Sequence, residues 1–477
     1  MKDINFGRDK VTNNERFIFP KDEELTKDEL YGFISYNEQY LAPRYRKNMN
    51  YYLGKHGIET AALKKNDEID NRIMDNKIKP LVDSYNGFFI GIPPTVSAEN
   101  SSVNDALNDW NGKNSFQDEL NEVSKQTDIY GRSLMFIYQG EDALPHIRHF
   151  SPEHAFIIYD DTIEHNPLAF VRYEVTDTQS YTQAKGIIQY ADKLYKFNET
   201  GISEDTEINQ YAQNPYSLVP AVEFFENEER QGVFEQIITL QDELDWVMSQ
   251  KANQIAYFDN AYMYLFNIHL PEDENGNPIF DFKKNRLIYA PDIDPNSKGE
   301  IGFVQKPDAD NMQENMIDHL QKSIYENTGI ANLRDENFAG NSSGVAMQYK
   351  LLSMKNKADN KERKFDKALK QLYRIVFQTL FNSSAEQEAW TTLTFHFTRN
   401  LPDDVASLVS TAKDAEGLVS KKTQLSLLPF VKDPQAEIDQ MNKEKEDNIK
   451  MAQNAVGSLP DYMKSDDKEE EDDADNE

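Results

Sequence analysis

The stretch that most resembles a ligand site is FAGNSSG, residues 338–344, which leads into a long run free of Gly and Pro. Backbone N–H groups at such a helix start favour anions. A nucleotide loop, however, also needs a Gly-Lys-Ser/Thr phrase to reach the phosphates, and none occurs in the chain. What remains is a small uncharged loop, with Ser343 available to cap the following helix. His146, His149 and His154 cluster, but HIRHFSPEH lacks the H-E-x-x-H spacing that places two imidazoles around zinc. Glu272 and Asp273, ahead of Asn275 and Gly276, lack the first ligand and the closing glutamate of a calcium loop and fit a hairpin turn. There is no Gly-x-Ser-x-Gly elbow, and with no cysteine there is no thiol chemistry. The expectation is a protein that is not an enzyme, with no catalytic residues, no metal and no cofactor.

Charge adds a second constraint. Asp and Glu number 83 against 51 Lys and Arg, a net charge of −32. Such a chain repels phosphates unless its cations gather on one surface, so tight general DNA binding is disfavoured. One gathering exists: Lys350, Lys355, Lys357, Lys361, Arg363, Lys364, Lys367, Lys370 and Arg374 face only Asp359, Glu362 and Asp366. The absence of cysteine suits a reducing compartment. No signal peptide and no run near the ~20 apolar residues of a membrane span is visible, so the chain reads as soluble and intracellular when made, with no membrane partner.

The elements that must position these residues follow from periodicity. Residues 22–87 read as helical, punctuated at Gly54, Gly57 and Pro80. From about 130 to 226, runs such as SLMFIYQG, HAFIIYD and LAFVRYEV read as strands. Val233, Ile237, Leu240, Leu244 and Val247 alternate steps of four and three, an apolar helical stripe that turns polar after Met248. A β-like insert follows, and then a helix with an acidic polar face from Asp308 to Asn327. Val345–Asn382 contains no Gly or Pro and carries two heptad rows, one through Met347, Met354 and Lys361, the other through Leu351, Ala358 and Phe365. A strand-like TTLTFHF, a helical end and the acidic tail SDDKEEEDDADNE complete the chain. The tail is expected to be disordered.

Several phrases in this order resemble the portal proteins of tailed double-stranded DNA bacteriophages. NRIMDNKIKPLVDSYNGFFIGIPPTVS resembles an early helix entering the wing, with its Gly-x-Pro turn at Gly91 and Pro93. IYGRSLMFIY resembles the first wing strand, and VPAVEFFENEERQGVFEQIITLQDELDWVMSQ the close of the wing and the start of the stem. Ser420, Lys421, Leu428, Pro429, Asp433, Pro434 and Glu437 sit on the crown-proximal pattern. At Gly232 and Val233 the chain departs from the acidic residue usual at the stem start.

The resemblance implies an α+β portal fold, with long helices in stem and wing, a β-rich wing and clip, and a helical crown. Its parts would be a wing at 1–230, stem helices at 231–266 and 307–330, a clip at 267–306, a tunnel loop at 331–344, a long wing helix and strand at 345–404, a crown at 405–464 and the tail at 465–477. It further implies a ring, commonly a dodecamer, that forms a channel for DNA packaging and ejection at one capsid vertex. The implied partners are the large terminase ATPase, a head-completion adaptor, scaffold and major capsid proteins, and passing double-stranded DNA. The implied location is the virion, with assembly in the host cytoplasm. Carried onto this chain, Asn337, Gly340, Asn341, Ser342, Ser343 and Gly344 would form the tunnel loop, and Asp308, Asp310, Glu314 and Asp318 would line the channel. Lys357, Lys361 and Lys364 would meet a neighbouring subunit's acidic surface or DNA, the neighbour being preferred. The competing reading is a coiled-coil scaffold or adaptor that dimerises through the heptad helix.

Overall fold

The structure, a computed structural model, describes residues 4–6, 9–62, 70–176, 183–204, 216–258, 263–274, 279, 287–291, 298–304, 310–333, 344–400, 405–428, 430–431 and 433–457. The chain folds as two units, Met1–Arg399 and Asn400–Glu477.

The first unit begins with strands β1 (Ile4–Phe6), β2 (Asp9–Val11) and β3 (Phe17–Phe19), then helices α1 (Lys27–Tyr36), α2 (Ala42–Tyr52), α3 (Gly57–Thr60) and α4 (Ile78–Ile90). Thr26 and Glu29 form a capping box that starts α1. A π-helical turn, Asn37–Leu41, joins α1 to α2. Pro43 supplies no N–H and its ring crowds the preceding turn, which the wider coil accommodates. Next come β4 (Thr95–Ser97), α5 (Ser101–Lys113), α6 (Phe116–Tyr130), β5 (Arg132–Gln139), β6 (Pro145–Phe150), β7 (Ala155–Asp160), β8 (Pro167–Val175), β9 (Ala184–Gln189), β10 (Leu194–Asn198), β11 (Gly201–Glu204) and β12 (Ala221–Phe225). Helix α7 (Ile238–Phe258) follows a short 3-10 turn at Glu235–Ile237, so the regular helix begins after Val233. Strands β13 (Met263–Phe266), β14 (Leu287–Ala290) and β15 (Glu300–Phe303), helices α8 (Asp310–Thr328), α9 (Gly344–Leu380) and α10 (Ser384–Gln387), and strand β16 (Thr394–His396) complete this unit.

One sheet runs β1-β2-β3-β7-β8-β9-β10-β11, a second β12-β5-β6. β3 joins β7 in parallel, stitching the amino end into the β-rich region. Between the sheets, Ile18, Leu134, Ile157, Phe170 and Val219 close a core, with Phe136 and Phe150 packed on it. Both heptad rows of α9 are turned into their own chain: Leu351, Met354, Ala358, Phe365, Ala368, Leu372 and Ile375 are buried, and Phe365 meets Phe89 and Phe224 at ring centroid distances of 5.2 Å. A coiled coil would need those rows free, so the dimerising-helix reading loses its seam.

One other expectation is corrected. Residues 70–77 are extended and not part of a helix, because α7 satisfies their backbone from outside, as described below. In the insert β13 pairs with β14 in parallel and with β15 antiparallel, so no simple hairpin links β13 to β14. The expected turn at Asn275 and Gly276 lies outside the described residues, although the Ile279 N–H donates to the Pro271 carbonyl across it. A parallel pair needs a longer connection than a hairpin, so β13 reaches β14 by a crossover, and the turn expected at Asn275 and Gly276 does not by itself join them.

In the second unit, α11 (Val405–Asp414), α12 (Lys421–Ser426) and α13 (Pro434–Gly457) follow one another. Ser420 caps α12, and Gln424 donates to the Ala412 carbonyl to tie α12 to α11. The acidic tail lies outside the described residues.

Candidate functional site

The site is built on α7 and α8. Ile317, Leu320 and Ile324 form the buried stripe of α8, spaced by three and four residues. Beside that stripe Glu314 and Asp318 are exposed. Lys251 of α7 pairs with Glu314, Gln313 donates to Gln254 at 3.1 Å, and Lys322 meets Glu326 at 3.6 Å along the surface. Among the described residues Asp318 has no pairing cation. Asp310 opens α8, whereas Asp308 lies outside the described residues.

What fastens α7 to the body was missed by sequence reasoning. The extended strap 70–77 runs antiparallel to the helix, and its alternate N–H groups donate to helix side chains: Asn71 to Asn253 Oδ1 (2.6 Å), Ile73 to Ser249 Oγ (2.8 Å), Asp75 to Asp245 Oδ1 (2.9 Å) and Lys77 to Gln241 Oε1 (3.1 Å). Two strand residues advance ~6.6 Å and four helix residues ~6.0 Å, so the rungs stay nearly in step. The signal was present as short polar residues at every fourth position: Gln241, Asp245, Ser249 and Asn253. The polar turn after Met248 is this docking face.

Asp245 also meets the buried ring of His56 through Nδ1, while His56 Nε2 faces the Tyr51 carbonyl at 3.1 Å and the ring stacks on Tyr51. Both ring nitrogens face acceptors, an arrangement that suits the doubly protonated ring. Burial opposes that charge, but the hydrogen bond and charge of Asp245 outweigh it and hold His56 above its ordinary value.

Behind α7, glycine is required at two crossings. A Cβ on Gly131, whose φ is +86°, would meet the Arg230 carbonyl oxygen at 2.1 Å, and one on Gly232 would meet the Ile129 oxygen at 2.3 Å. This explains the departure at Gly232, where no side chain fits. The acidic residue stands at Glu235, accepting from the Gly232 N–H at 2.6 Å.

The cation-rich helix α9 does not present the expected lysines. Lys361 is fully buried, with Nζ 2.5 Å from Asp128 Oδ1 and 3.3 Å from Glu226 Oε2, and it lies over the Phe89, Phe365 and Tyr85 rings. Its acidic partners are in its own chain, so its assignment to an intersubunit or DNA contact is corrected. Burial pushes Asp128 well above the ordinary carboxylate range despite the pull of Lys361, and Glu226 adds to the rise. One close cation facing two carboxylates in a buried place thus favours the neutral form of Asp128. Lys357 is largely buried, its Nζ 5.7 Å from the Tyr85 ring centroid, and burial holds its pKa down. Lys364 is half-buried and donates to Glu228.

A second buried network lies at the β5–β12 edge. Glu15 bridges Arg44 and Arg132, and Glu223 accepts from Arg230 at 3.0 and 3.1 Å and from the Tyr159 hydroxyl at 2.7 Å. Burial alone would raise Glu223, but Arg230 and Arg132 outweigh it and take it down to about 2.

Of the expected tunnel loop, Asn337, Gly340, Asn341, Ser342 and Ser343 lie outside the described residues, and Gly344 opens α9. His146, His149 and His154 do not converge: they pair separately with Asp142, Glu119 and Glu38. Among the described residues no group of three or more His, Asp or Glu is placed to hold a metal, and no helix is long and apolar enough to cross a membrane. The site offers an outward acidic helix face on a firmly docked neighbour.

Comparison with known proteins is consistent with that architecture. Residues 31–451 match the family model described as phage portal protein, SPP1 Gp6-like. The chain is 24% identical over 465 residues to the portal protein of Bacillus phage SPP1, covering 90% of this chain and 88% of that protein. It is 23% identical over 412 residues to the portal protein of Clostridium phage phiCD119, covering 80% and 88% respectively.

Proposed function

The chain belongs to the SPP1 Gp6-like family of phage portal proteins, and on that premise we propose that its copies close into a ring, commonly twelve, around a DNA channel at one capsid vertex. In this reading residues 1–230 form the wing, α7 and α8 the stem, the insert between them the clip, 331–344 the tunnel loop, α9 the wing crossing, and 405–464 the crown. The observation that carries it is the exposed acidic face of α8, with Glu314 and Asp318 outward, on a helix pair whose α7 is fastened to the body by four rungs. Phosphates passing such a wall meet weak, screened repulsion and few attractive wells, which keeps friction low.

The ring would carry no catalysis of its own. A terminase ATPase would supply the pumping work, a head-completion adaptor would dock at the outer end, and scaffold and major capsid proteins would seat the ring in the virion during assembly in the host cytoplasm. The tunnel loop would touch moving DNA. Because Gly344 already occupies a helix start, where proline is tolerated, Gly340→Pro or a shortened loop is the better probe of it.

Negative-stain imaging and native mass spectrometry of the purified chain test the reading. A closed ring with a central hole is expected; a rod or a persistent monomer would overturn it. With rings in hand, Glu314→Lys with Asp318→Lys should leave assembly intact and reduce DNA-filled heads, and unchanged filling would remove α8 from the channel wall.

A further inference from the structure

Helix α9 carries an outward stripe that nothing in the described structure covers. At ~100° per residue, Tyr349, Leu352, Asn356, Asn360, Arg363 and Lys367 fall within one narrow face, and Arg374 continues it. Tyr349 is 73% and Leu352 48% exposed, and Asn356, Asn360, Arg363 and Lys367 are exposed as well. The nearby carboxylates lie beside the stripe and are engaged: Asp359 and Glu362 with Arg399, Asp366 with Lys370. Among the described residues Arg363 and Lys367 have no ion-pair partner. Over ~37 Å the stripe thus passes from apolar through amide to cationic, with no acid on it.

We propose that this stripe is a docking surface for the next copy of the same chain, engaging that copy's acidic surface. The proposal rests on the ring reading and goes beyond it by assigning one side of the contact. Two features favour a protein over a nucleic acid. Tyr349 and Leu352 would gain from being covered by an apolar surface, which a phosphate backbone does not offer. Among the described residues Arg363 and Lys367 have no ion-pair partner in a chain of net charge −32, so a second copy brings the complementary charge, and exposed acids such as Asp105 and Asp118 stand on other elements. A cationic face meeting a different, acidic face is a head-to-tail contact, the kind that closes rings. It also lessens the like-charge repulsion that copies of so acidic a chain would otherwise feel.

The test uses the full chain and its double variant Arg363→Glu/Lys367→Glu, with Tyr349→Ser/Leu352→Ser as a second variant, compared by native mass spectrometry over ionic strengths from ~0.05 to ~0.5 M. Charge reversal is expected to raise the concentration needed for rings by at least about tenfold, most strongly at low salt, and the apolar variant to weaken rings with little salt dependence. Zero-length carbodiimide cross-linking of mixed light and heavy-isotope copies should join Lys367 to a carboxylate of the other label. If the wild type forms no ring, the ring reading fails. If the wild type rings, both variants ring equally and Lys367 cross-links only within its own copy, the stripe proposal fails alone. Unchanged rings with weakened binding of double-stranded DNA would likewise overturn it, assigning the stripe to nucleic acid.

Discussion

Two ion clusters are buried in the first unit, and they are balanced differently. Around Lys361, one close cation faces Asp128 and Glu226, and burial, with Glu226 alongside, raises Asp128 despite that cation. At the β5–β12 edge, Glu15 and Glu223 face Arg44, Arg132 and Arg230, and both acids have guanidinium partners. Arginine cannot yield its proton, so the second cluster stays ionic, whereas the first adjusts by protonation. Burial is common to both; the count of cations decides the direction in which each responds to pH.

The largest effect is expected from Lys361→Ala, which strands two buried acids and removes a cation from three aromatic faces. A loss of about 3–5 kcal/mol in denaturant unfolding should follow. A loss below about 1 kcal/mol would show that water or a shift of α9 relieves the acids. Glu223→Gln should cost about 2–4 kcal/mol, somewhat less, because Glu15 still faces Arg132 and the amide oxygen still accepts from Arg230. Ser249→Ala removes one rung from the strap and should cost about 1–2 kcal/mol, with faster hydrogen exchange at Ile73 as the local signature.

Asp128→Asn sharpens the contrast, since the amide imitates the protonated acid and leaves Lys361 with Glu226. Its effect at neutral pH should stay within about 1 kcal/mol. The signs with pH are opposite. Glu223, lowered to about 2, contributes stability that is present above its unfolded value of ~4.3 and is lost as pH falls toward 2. Asp128, raised, contributes stability that is complete below ~3.9 and fades as pH rises from there toward its folded value. Unfolding free energies of Glu223→Gln should therefore lose part of the acid-side slope, and those of Asp128→Asn part of the slope above ~3.9; identical curves would erase the distinction. The smallest effect is expected on removing residues 466–477, which should leave thermal melting nearly unchanged.

Much of the helical frame was legible in the chain. Ile238–Phe258, Asp310–Thr328 and Gly344–Leu380 lie within a few residues of the spans set by periodicity, because a long amphipathic run is its own signal. Residues 70–77 were misread because Met74 and Ile78, four apart, imitate a helix turn, while the groups that hold the segment extended sit on α7. Lys361 was misread for a related reason: a lysine's burial is decided by Asp128 and Glu226, which are distant in sequence. The parallel joining of β3 to β7 is likewise non-local. For the candidate site, Glu314 and Asp318 could be placed on an exposed acidic face from their spacing, whereas the fastening of its partner helix appeared only as a four-residue polar rhythm.

That fastening has a mechanical consequence. The rungs between the strap and α7 all lie across the helix, one after another along its length. A force directed along α7 loads them together, in shear, and must overcome several bonds at once. A force that lifts the helix sideways opens them singly, from Asn253 inward, as in peeling tape. The joint therefore resists thrust and draw along the helix more stiffly than it resists tilting, and at the third rung from Asn253 the buried His56–Asp245 pair stops the peel.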